Sequence, residues 1–294
     1  MRGGELLDKM ELVDPAYVEE ADQASRSRIK PWIKPVSLAA CFLLVAVSVV
    51  AVQLFSQPAL PISQSTIAAE SPGLRKFLNY NGCQYVFIEN GSTFDLTQAH
   101  LGEALGYLEY DILADREKNG CLDYAATFAV GGTIYRMTSY DPDFRVAVEF
   151  RGSYYICEKT GHTDGSDLDV DALFETAGFR ETVTDIILYD HFGQNELGRL
   201  SGQDVRQMVA LLAQVSPASL TNEDYEKIAK AQKSGESFLV VFQLADTTRY
   251  KLYVIPSLSI AMIGSDRFLL PAEFHSAFDS VFDNLCQAPV ERIP

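Results

Sequence analysis

The feature that most constrains this chain is an uncharged apolar run near its N-terminus, residues 36–55. A helix of this length spans about 30 Å, because each residue adds about 1.5 Å, and that matches the hydrocarbon core of a bilayer. We therefore predict a transmembrane helix over 36–55. A cleaved signal peptide and a buried core helix are the alternatives. A signal peptide fits less well, because its apolar region is usually about 7–15 residues long and follows a basic start.

The basic residues near this run indicate its orientation. Arg26, Arg28, Lys30 and Lys34 precede it, and the next Lys or Arg is Arg75. Basic residues beside a membrane span stay in the cytoplasm. The sequence thus predicts a single-pass protein of the cell membrane that contacts lipid through the span, with a cytoplasmic N-terminus and an extracytoplasmic C-terminal part.

The net charge limits the partners of the long C-terminal part. The chain carries −16 overall, and residues 1–35 hold six basic and seven acidic side chains, so almost all of the excess lies beyond them. This charge argues against nucleic-acid binding and against adsorption to an anionic membrane surface. A hydrophobic content of 47% is enough for a proper core.

Residues 1–35 are too short to bury a core alone. Asp14 and Pro15 form a helix start, because Asp caps free N–H groups and Pro fits the first turn. An amphipathic segment of this size either is poorly ordered or folds on a partner. In the second case the partner is a cytosolic protein, such as a sigma-factor-like regulator, and the predicted contact residues are Leu7, Met10, Tyr17, Val18 and Ala21.

Beyond the span, proline and small polar residues predict an extended stalk over 56–73. Residues 74–160 then read as an antiparallel β-rich module, because Asn81-Gly82 and Gly131-Gly132 are hairpin turns between apolar runs. Residues 96–105 are predicted to form a short helix. In the strand 145–150, Val146 and Val148 alternate with Arg145, which is typical of a half-buried strand with Arg145 on its other face.

Residues 161–294 predict a second, α+β module. A polar linker over 162–171 is expected to cap the next helix with its Asp side chains. Residues 238–244 and 249–255 form a hairpin, and 201–215 form a helix. The last helix begins at Pro271, and its apolar face covers one side of the sheet. The predicted fold class is thus α+β, with a single transmembrane helix followed by two modules.

No motif in the sequence carries a defined chemistry. There is no G-x-S-x-G, no phosphate-binding glycine loop and no pair of histidines at i, i+4. His275 is expected at the rim of the last helix's apolar face. We therefore expect no catalytic residue, no metal, no cofactor and no enzymatic activity. Whether the cysteines outside the span form disulfides is open: Cys83, Cys121, Cys157 and Cys286.

Four tyrosines on or near the predicted strands are candidates for a ligand groove. Aromatic side chains on strands also pack against neighbouring strands, so sheet packing is the alternative. The four residues are Tyr135, Tyr140, Tyr154 and Tyr155.

Several stretches resemble a group of uncharacterised single-pass membrane proteins of Firmicutes, especially Clostridia. They are DPAYVEEA at 14–21, WIK at 32–34, AAC at 39–41, YDPDFRVAV at 140–148, GSYY at 152–155 and LPAEF at 270–274. Some members of this group have the layout of anti-sigma factors. The zinc-containing anti-sigma domain needs a histidine and paired cysteines before the span, and residues 1–35 contain neither. The resemblance therefore transfers no site residue.

Two functions follow from these observations. The first is a membrane-tethered regulatory or sensory protein, anti-sigma-like in layout. The alternative is an extracytoplasmic domain that binds a ligand or another protein, with an N-terminus that only sets the topology. An enzyme is a third class, and it would require a polar cluster that a single sequence does not reveal.

Overall fold

The computed structural model describes residues 60–66 and 75–285, which belong to one compact unit, 59–294. Within the described residues, seventeen strands form two sheets, and strands β1–β10 belong to the first. These ten strands are β1 (Gln64–Thr66), β2 (Phe77–Tyr80), β3 (Cys83–Phe87), β4 (Thr93–Phe94), β5 (Leu101–Tyr107), β6 (Tyr110–Asp111), β7 (Ala125–Ala126), β8 (Thr133–Met137), β9 (Arg145–Phe150) and β10 (Ser153–His162).

The first sheet has the strand order β5-β8-β9-β10-β3-β2-β7-β6, and the short pair β1–β4 joins it at β10. All pairs are antiparallel except β6 with β7. The hairpin between β2 and β3 turns at Asn81 and Gly82, whose φ angles of 51° and 69° fit the predicted tight turn. Residues 60–66, which fall within the predicted stalk, take part in this fold, because Ile62 is buried.

The second sheet contains the other seven strands in the order β12-β11-β14-β15-β16-β17-β13, and every pair is antiparallel. The predicted hairpin over 238–244 and 249–255 is confirmed with the same bounds. The strands are β11 (Val183–Asp190), β12 (Glu196–Leu200), β13 (Ser216–Pro217), β14 (Phe238–Leu244), β15 (Arg249–Ile255), β16 (Ile260–Ile263) and β17 (Asp266–Leu269).

Six α-helices lie in the described residues, and side-chain caps define where several begin. Asp169 accepts a hydrogen bond from the Ala172 N–H, as predicted for the polar linker. Thr221 and Asp224 form a reciprocal capping box. The helices are α1 (Arg116–Asn119), α2 (Val170–Thr176), α3 (Phe179–Thr182), α4 (Gln203–Leu212), α5 (Asn222–Ser234) and α6 (Ala272–Leu285).

The largest core lies between the two sheets, and we call it the inter-sheet core. Ala147 of β9 and Phe144, which immediately precedes β9, reach it from the side of the first sheet, and Phe242 and Tyr250 reach it from the second. Helix α6 contributes the predicted apolar face with the buried Phe274, Phe278 and Phe282. A separate cluster, including Val146, Val148 and Phe87, covers the opposite face of the first sheet. Because both faces are covered, this sheet has few exposed apolar positions.

The predicted fold class needs one correction. Its α+β part agrees with the two sheets and their helices, but it also included a transmembrane helix. No helix within 60–66 and 75–285 is long and apolar enough to cross a membrane. The longest, α6, has 14 residues, whereas a span needs about 20. The membrane and single-pass assignments are corrected accordingly. The run over 36–55 itself lies outside the described residues.

Two local predictions also differ from the structure. Residues 96–105 were expected to be helical, but Leu101–Tyr107 pair with β8 as strand β5. The predicted cap of the helix over 201–215 is Ser201, whereas α4 begins after Gly202, with no side-chain capping bond. In the first case strand pairing overrides a weak local propensity.

Buried tyrosines lead to a prediction about alkaline pH. Tyr85 is fully buried, and its Oη donates to the Pro142 carbonyl at 2.9 Å. Burial raises the pKa of Tyr85 above its ordinary value. Above about pH 10 the unfolded chain therefore loses a proton that the folded chain keeps, so stability falls as pH rises.

A rise from pH 9 to pH 11 should lower the free energy of unfolding by about 1.4 kcal/mol through the ionisation of Tyr85 in the unfolded chain. Substitution of Tyr85 by Phe should remove that part of the pH dependence. Urea unfolding of both proteins at the two pH values measures it. Equal pH dependence of the two proteins would contradict the prediction.

Candidate functional site

The structure separates the residues that the sequence singled out. The proposed partner surface, Leu7, Met10, Tyr17, Val18 and Ala21, lies outside the described residues. The four candidate tyrosines occupy different environments. Tyr140 is buried and belongs to the inter-sheet core, against which Tyr135 and Tyr154 pack, whereas Tyr155 packs on the opposite face of the first sheet. They do not lie around a single groove.

A buried arginine links the two sheets. Arg145, the first residue of β9, is 0% exposed. Its Nε and Nη2 both donate to Glu158 Oε2, at 3.0 and 2.6 Å. Its Nη1 donates to Thr248 Oγ1 at 2.6 Å, and its Nη2 also donates to the Arg249 carbonyl at 2.7 Å. One guanidinium therefore ties β9 and β10 to the second sheet.

The hydrogen bonds continue beyond this arginine. Thr248 Oγ1 donates to Asp246 Oδ1 at 2.6 Å, and the Tyr140 hydroxyl donates to Asp246 Oδ2 at 2.6 Å. The guanidinium also lies 4.8 Å from the centre of the Phe144 ring, within the range of a cation–π contact. We call Glu158, Arg145, Thr248, Asp246 and Tyr140 the buried polar network.

The network keeps Arg145 charged. Burial by itself lowers the pKa of this guanidinium, but the carboxylate of Glu158, with smaller contributions from Tyr140 and Asp246, raises its pKa above the ordinary value. A buried ion pair of this kind is strongly coupled, so the loss of one member leaves the other charge without compensation.

A groove of about 600 Å³ opens beside this network, where the two sheets meet. Glu158 lines it together with parts of β3, β10 and β15. Four cationic side chains and two anionic ones surround it, although the whole chain carries −16. We call it the cationic groove, and its charged residues are Arg75, Lys76, Arg249, Lys251, Glu89 and Glu158.

The cationic side chains of the groove have more N–H donors than their present contacts use. Lys251 Nζ lies 2.7 Å from Glu89 Oε1, and Lys76 Nζ donates to the Asn90 carbonyl at 2.9 Å. Arg249 Nε makes a 3.4 Å contact with Gln243 Oε1. A lysine ammonium has three donors and a guanidinium has five, so further acceptors could bind.

A smaller depression of about 350 Å³ adjoins the cationic groove, and Glu89 and Arg249 line both. Ile62, Ile88 and Phe94 give it an apolar side. The combined surface joins charged and polar groups with smaller apolar areas. This combination is typical of a site for a small ligand.

The sequence pattern indicates only part of the cationic groove. Arg249 and Lys251 alternate along β15 with Tyr250 and Leu252, so one strand face is visibly basic. The convergence with Lys76, far away along the chain, results from sheet packing alone. The four tyrosines were candidates for a ligand groove because they are aromatic. Residue type does not show which of them are buried by neighbouring side chains.

The described residues offer little for a metal. They contain no group of three or more His, Cys, Asp or Glu side chains placed to hold an ion. Cys83, Cys121 and Cys157 are free thiols, and burial raises the pKa of the Cys157 thiol well above its ordinary value. Cys286 lies outside the described residues.

Comparisons of the chain with protein-family models, with curated proteins and with solved structures found no match. The resemblance to single-pass proteins of Firmicutes therefore stays a prediction.

Proposed function

We propose that the described unit is a binding domain whose cationic groove takes a small anionic ligand that bears carboxylate or phosphate groups. The observation that carries this proposal is the convergence of Arg75, Lys76, Arg249 and Lys251 on one groove in an otherwise acidic chain. Cations gathered against the prevailing charge raise the local concentration of anions.

The size and walls of the groove support this ligand class. A volume of about 600 Å³ lies in the range of small-molecule sites, about 300–1,000 Å³. Tyr253 and Met262 supply apolar contact. Arginine and lysine bind carboxylate and phosphate through charge-assisted hydrogen bonds. Glu89, now paired with Lys251, would be displaced by the anionic group of the ligand.

A ligand site of this kind is compatible with both functions that the sequence predicts. Regulation through a sensory domain requires a ligand site, and so does ligand binding by a surface domain. A groove between two sheets suits a sensor, because a ligand that contacts both sheets favours one relative arrangement of them. The regulatory part of the first function depends on residues 1–35, which lie outside the described residues.

Reversal of two groove charges tests the proposal. The Arg249→Glu, Lys251→Glu double variant should bind citrate and inorganic phosphate at least about 10-fold more weakly, since a hydrogen bond to a charged group contributes about 1.5–3 kcal/mol. Isothermal titration calorimetry at low salt measures the Kd. Added salt should weaken binding to the unmodified chain, because it screens the attraction.

The matched control is the Arg136→Glu, Arg199→Glu double variant, which makes the same change in net charge on exposed side chains outside the groove. It should bind the two probes almost as well as the unmodified chain. Equal loss in both variants would show that net charge alone attracts the anions. That result, or the absence of saturable binding of either probe, would overturn the proposal.

A further inference from the structure

Three side chains at the edge of the second sheet form an aligned hydrogen-bonded series. Ser259 Oγ lies 2.9 Å from His275 Nε2, and His275 Nδ1 lies 2.9 Å from Asp279 Oδ1. In the tautomer with the proton on Nδ1, the Nδ1–H group donates a hydrogen bond to the carboxylate, and Nε2 accepts one from the serine hydroxyl. This is the order of groups that activates a serine nucleophile.

The fold holds Ser259 in an unusual backbone conformation. Ser259 ends a 3₁₀ turn, Pro256–Leu258, with φ 55° and ψ 37°. A serine with positive φ is uncommon and persists only where the surrounding structure imposes it. Here its N–H donates to the Pro256 carbonyl, and its own carbonyl accepts from the Leu270 N–H, both at 2.9 Å. The hydroxyl therefore projects from a fixed position.

The other two residues come from helix α6. His275 and Asp279 are one turn apart, so their side chains lie on the same helix face. Neighbouring Phe274 and Phe278 are buried in the inter-sheet core and fix the rotation of the helix. The imidazole is thereby directed to the loop that carries Ser259.

This series lies in a second depression, of about 520 Å³. None of the described residues that line it also lines the cationic groove. Ser257 lies in the same depression, but its hydroxyl donates to Glu236 Oε2 at 2.9 Å. The two serines thus share one environment but have different partners.

We propose that this depression is the active site of a serine esterase, with Ser259 as nucleophile and His275 as general base. Ser259 Oγ forms a bond to the carbonyl carbon of an ester while His275 Nε2 takes the hydroxyl proton. The bond from that carbon to the alkoxy oxygen then breaks, and His275 returns the proton to the leaving alcohol. Water, deprotonated in the same way, releases the carboxylic acid and restores Ser259. Asp279 is a positioning residue that orients the imidazole.

The charge of the lining defines the substrate class. Glu236, Asp279 and Asp283 line the depression, and its described lining contains no lysine or arginine. The rim therefore repels anionic substrates and favours neutral or cationic esters. This activity goes beyond the anion binding proposed above, and it departs from the expectation that the chain has no catalytic residue.

A neutral fluorophosphonate probe tests the nucleophile directly. The purified 294-residue chain should react at Ser259 with loss of fluoride, and peptide mass mapping should locate the adduct. Ser259→Ala should abolish this adduct. His275→Gln should slow labelling by about 100-fold or more, the usual contribution of a general base. Ser280→Ala, a matched control at an exposed position of α6 outside the lining of the depression, should label within about twofold of the unmodified chain.

The role of Asp279 is tested by rescue. Asp279→Asn should slow labelling, and Asp279→Glu should restore part of the rate because it returns a carboxylate to Nδ1. Circular dichroism should show that all variants remain folded. The absence of an adduct at Ser259, or labelling that His275→Gln leaves unchanged, would overturn the proposal. The groove variant Arg249→Glu, Lys251→Glu should be labelled at the normal rate. Failure of the anion-binding proposal can therefore be distinguished from failure of the esterase proposal.

Substrate preference supplies an independent measurement. Hydrolysis of neutral p-nitrophenyl acetate should exceed that of the anionic p-nitrophenyl succinate by about 10-fold or more, because the three carboxylates repel the second ester. Ser259→Ala should abolish this hydrolysis. Equal rates for the two esters would contradict the substrate class, and hydrolysis that survives Ser259→Ala would contradict the site.

Discussion

Substitution of Arg145 by alanine is expected to lower the free energy of unfolding by about 3–5 kcal/mol, because removal of one member of a buried ion pair leaves the other charge uncompensated. Glu158 would lose its 2.6 Å partner, and Thr248 and the Arg249 carbonyl would lose donors. Urea unfolding measured by circular dichroism gives the difference.

Arg136→Ala is the matched control, since Arg136 forms a 3.6 Å ion pair with Glu103 and its side chain is 47% exposed. That change should cost less than about 1 kcal/mol, as is usual for surface pairs. The double variant Arg145→Met, Glu158→Leu should regain part of the lost stability, because it removes both members of this ion pair while Asp246 stays buried with only its hydrogen bonds to Tyr140 and Thr248. Equal effects of Arg145→Ala and Arg136→Ala would contradict this account of the network.

Substitution of Phe179 by alanine should lower the free energy of unfolding by about 3–5 kcal/mol through the cavity that it leaves. Phe179 is 0% exposed. The centre of its ring lies 5.3 Å from that of Phe144 in the chain between β8 and β9, and 5.6 and 4.9 Å from those of Phe242 and Tyr250 in the second sheet. The loss should therefore weaken the packing between the sheets. Thermal and urea unfolding measure it.

Phe192→Ala is the corresponding control, since Phe192 is 72% exposed. Its substitution should change the free energy of unfolding by no more than about 0.5 kcal/mol. Leucine at position 179 should cost less than alanine, because it fills more of the cavity. If Phe179→Ala and Phe192→Ala cost the same, Phe179 does not join the two sheets in the way described.

Much of the local structure could be predicted from the sequence, because it depends on short-range rules. Alternating apolar residues identified the strands over 145–150 and 249–255, and the apolar run over 238–244 was predicted as the hairpin partner of the second. The Asn81-Gly82 turn followed from the need for positive φ. The face of α6 followed from its helical spacing. The prediction of a helix over 96–105 was wrong, because the short apolar pattern of these residues suits either a helix or a strand.

The candidate sites could not be predicted in the same way, because each joins residues from different elements of the fold. The sequence showed a basic face on β15 and a histidine beside the apolar face of α6. It could not show that Lys76 and Lys251 line one groove, or that Ser259 lies within hydrogen-bonding distance of His275. Tyr154 and Tyr155 follow each other in β10, so strand geometry places them on opposite faces, Tyr154 against the inter-sheet core and Tyr155 against the cluster on the other face.

Short-range rules predict most of the strands and helices and the apolar side of most of them, since backbone sterics and side-chain periodicity act over a few residues. What covers each face depends on the tertiary structure. Arg145 shows the difference: its place in β9 was correct, but the expected half-buried strand is covered on both sides, and this arginine is buried. The physical reason is that a strand specifies two faces, whereas burial depends on the partner that packs against each one.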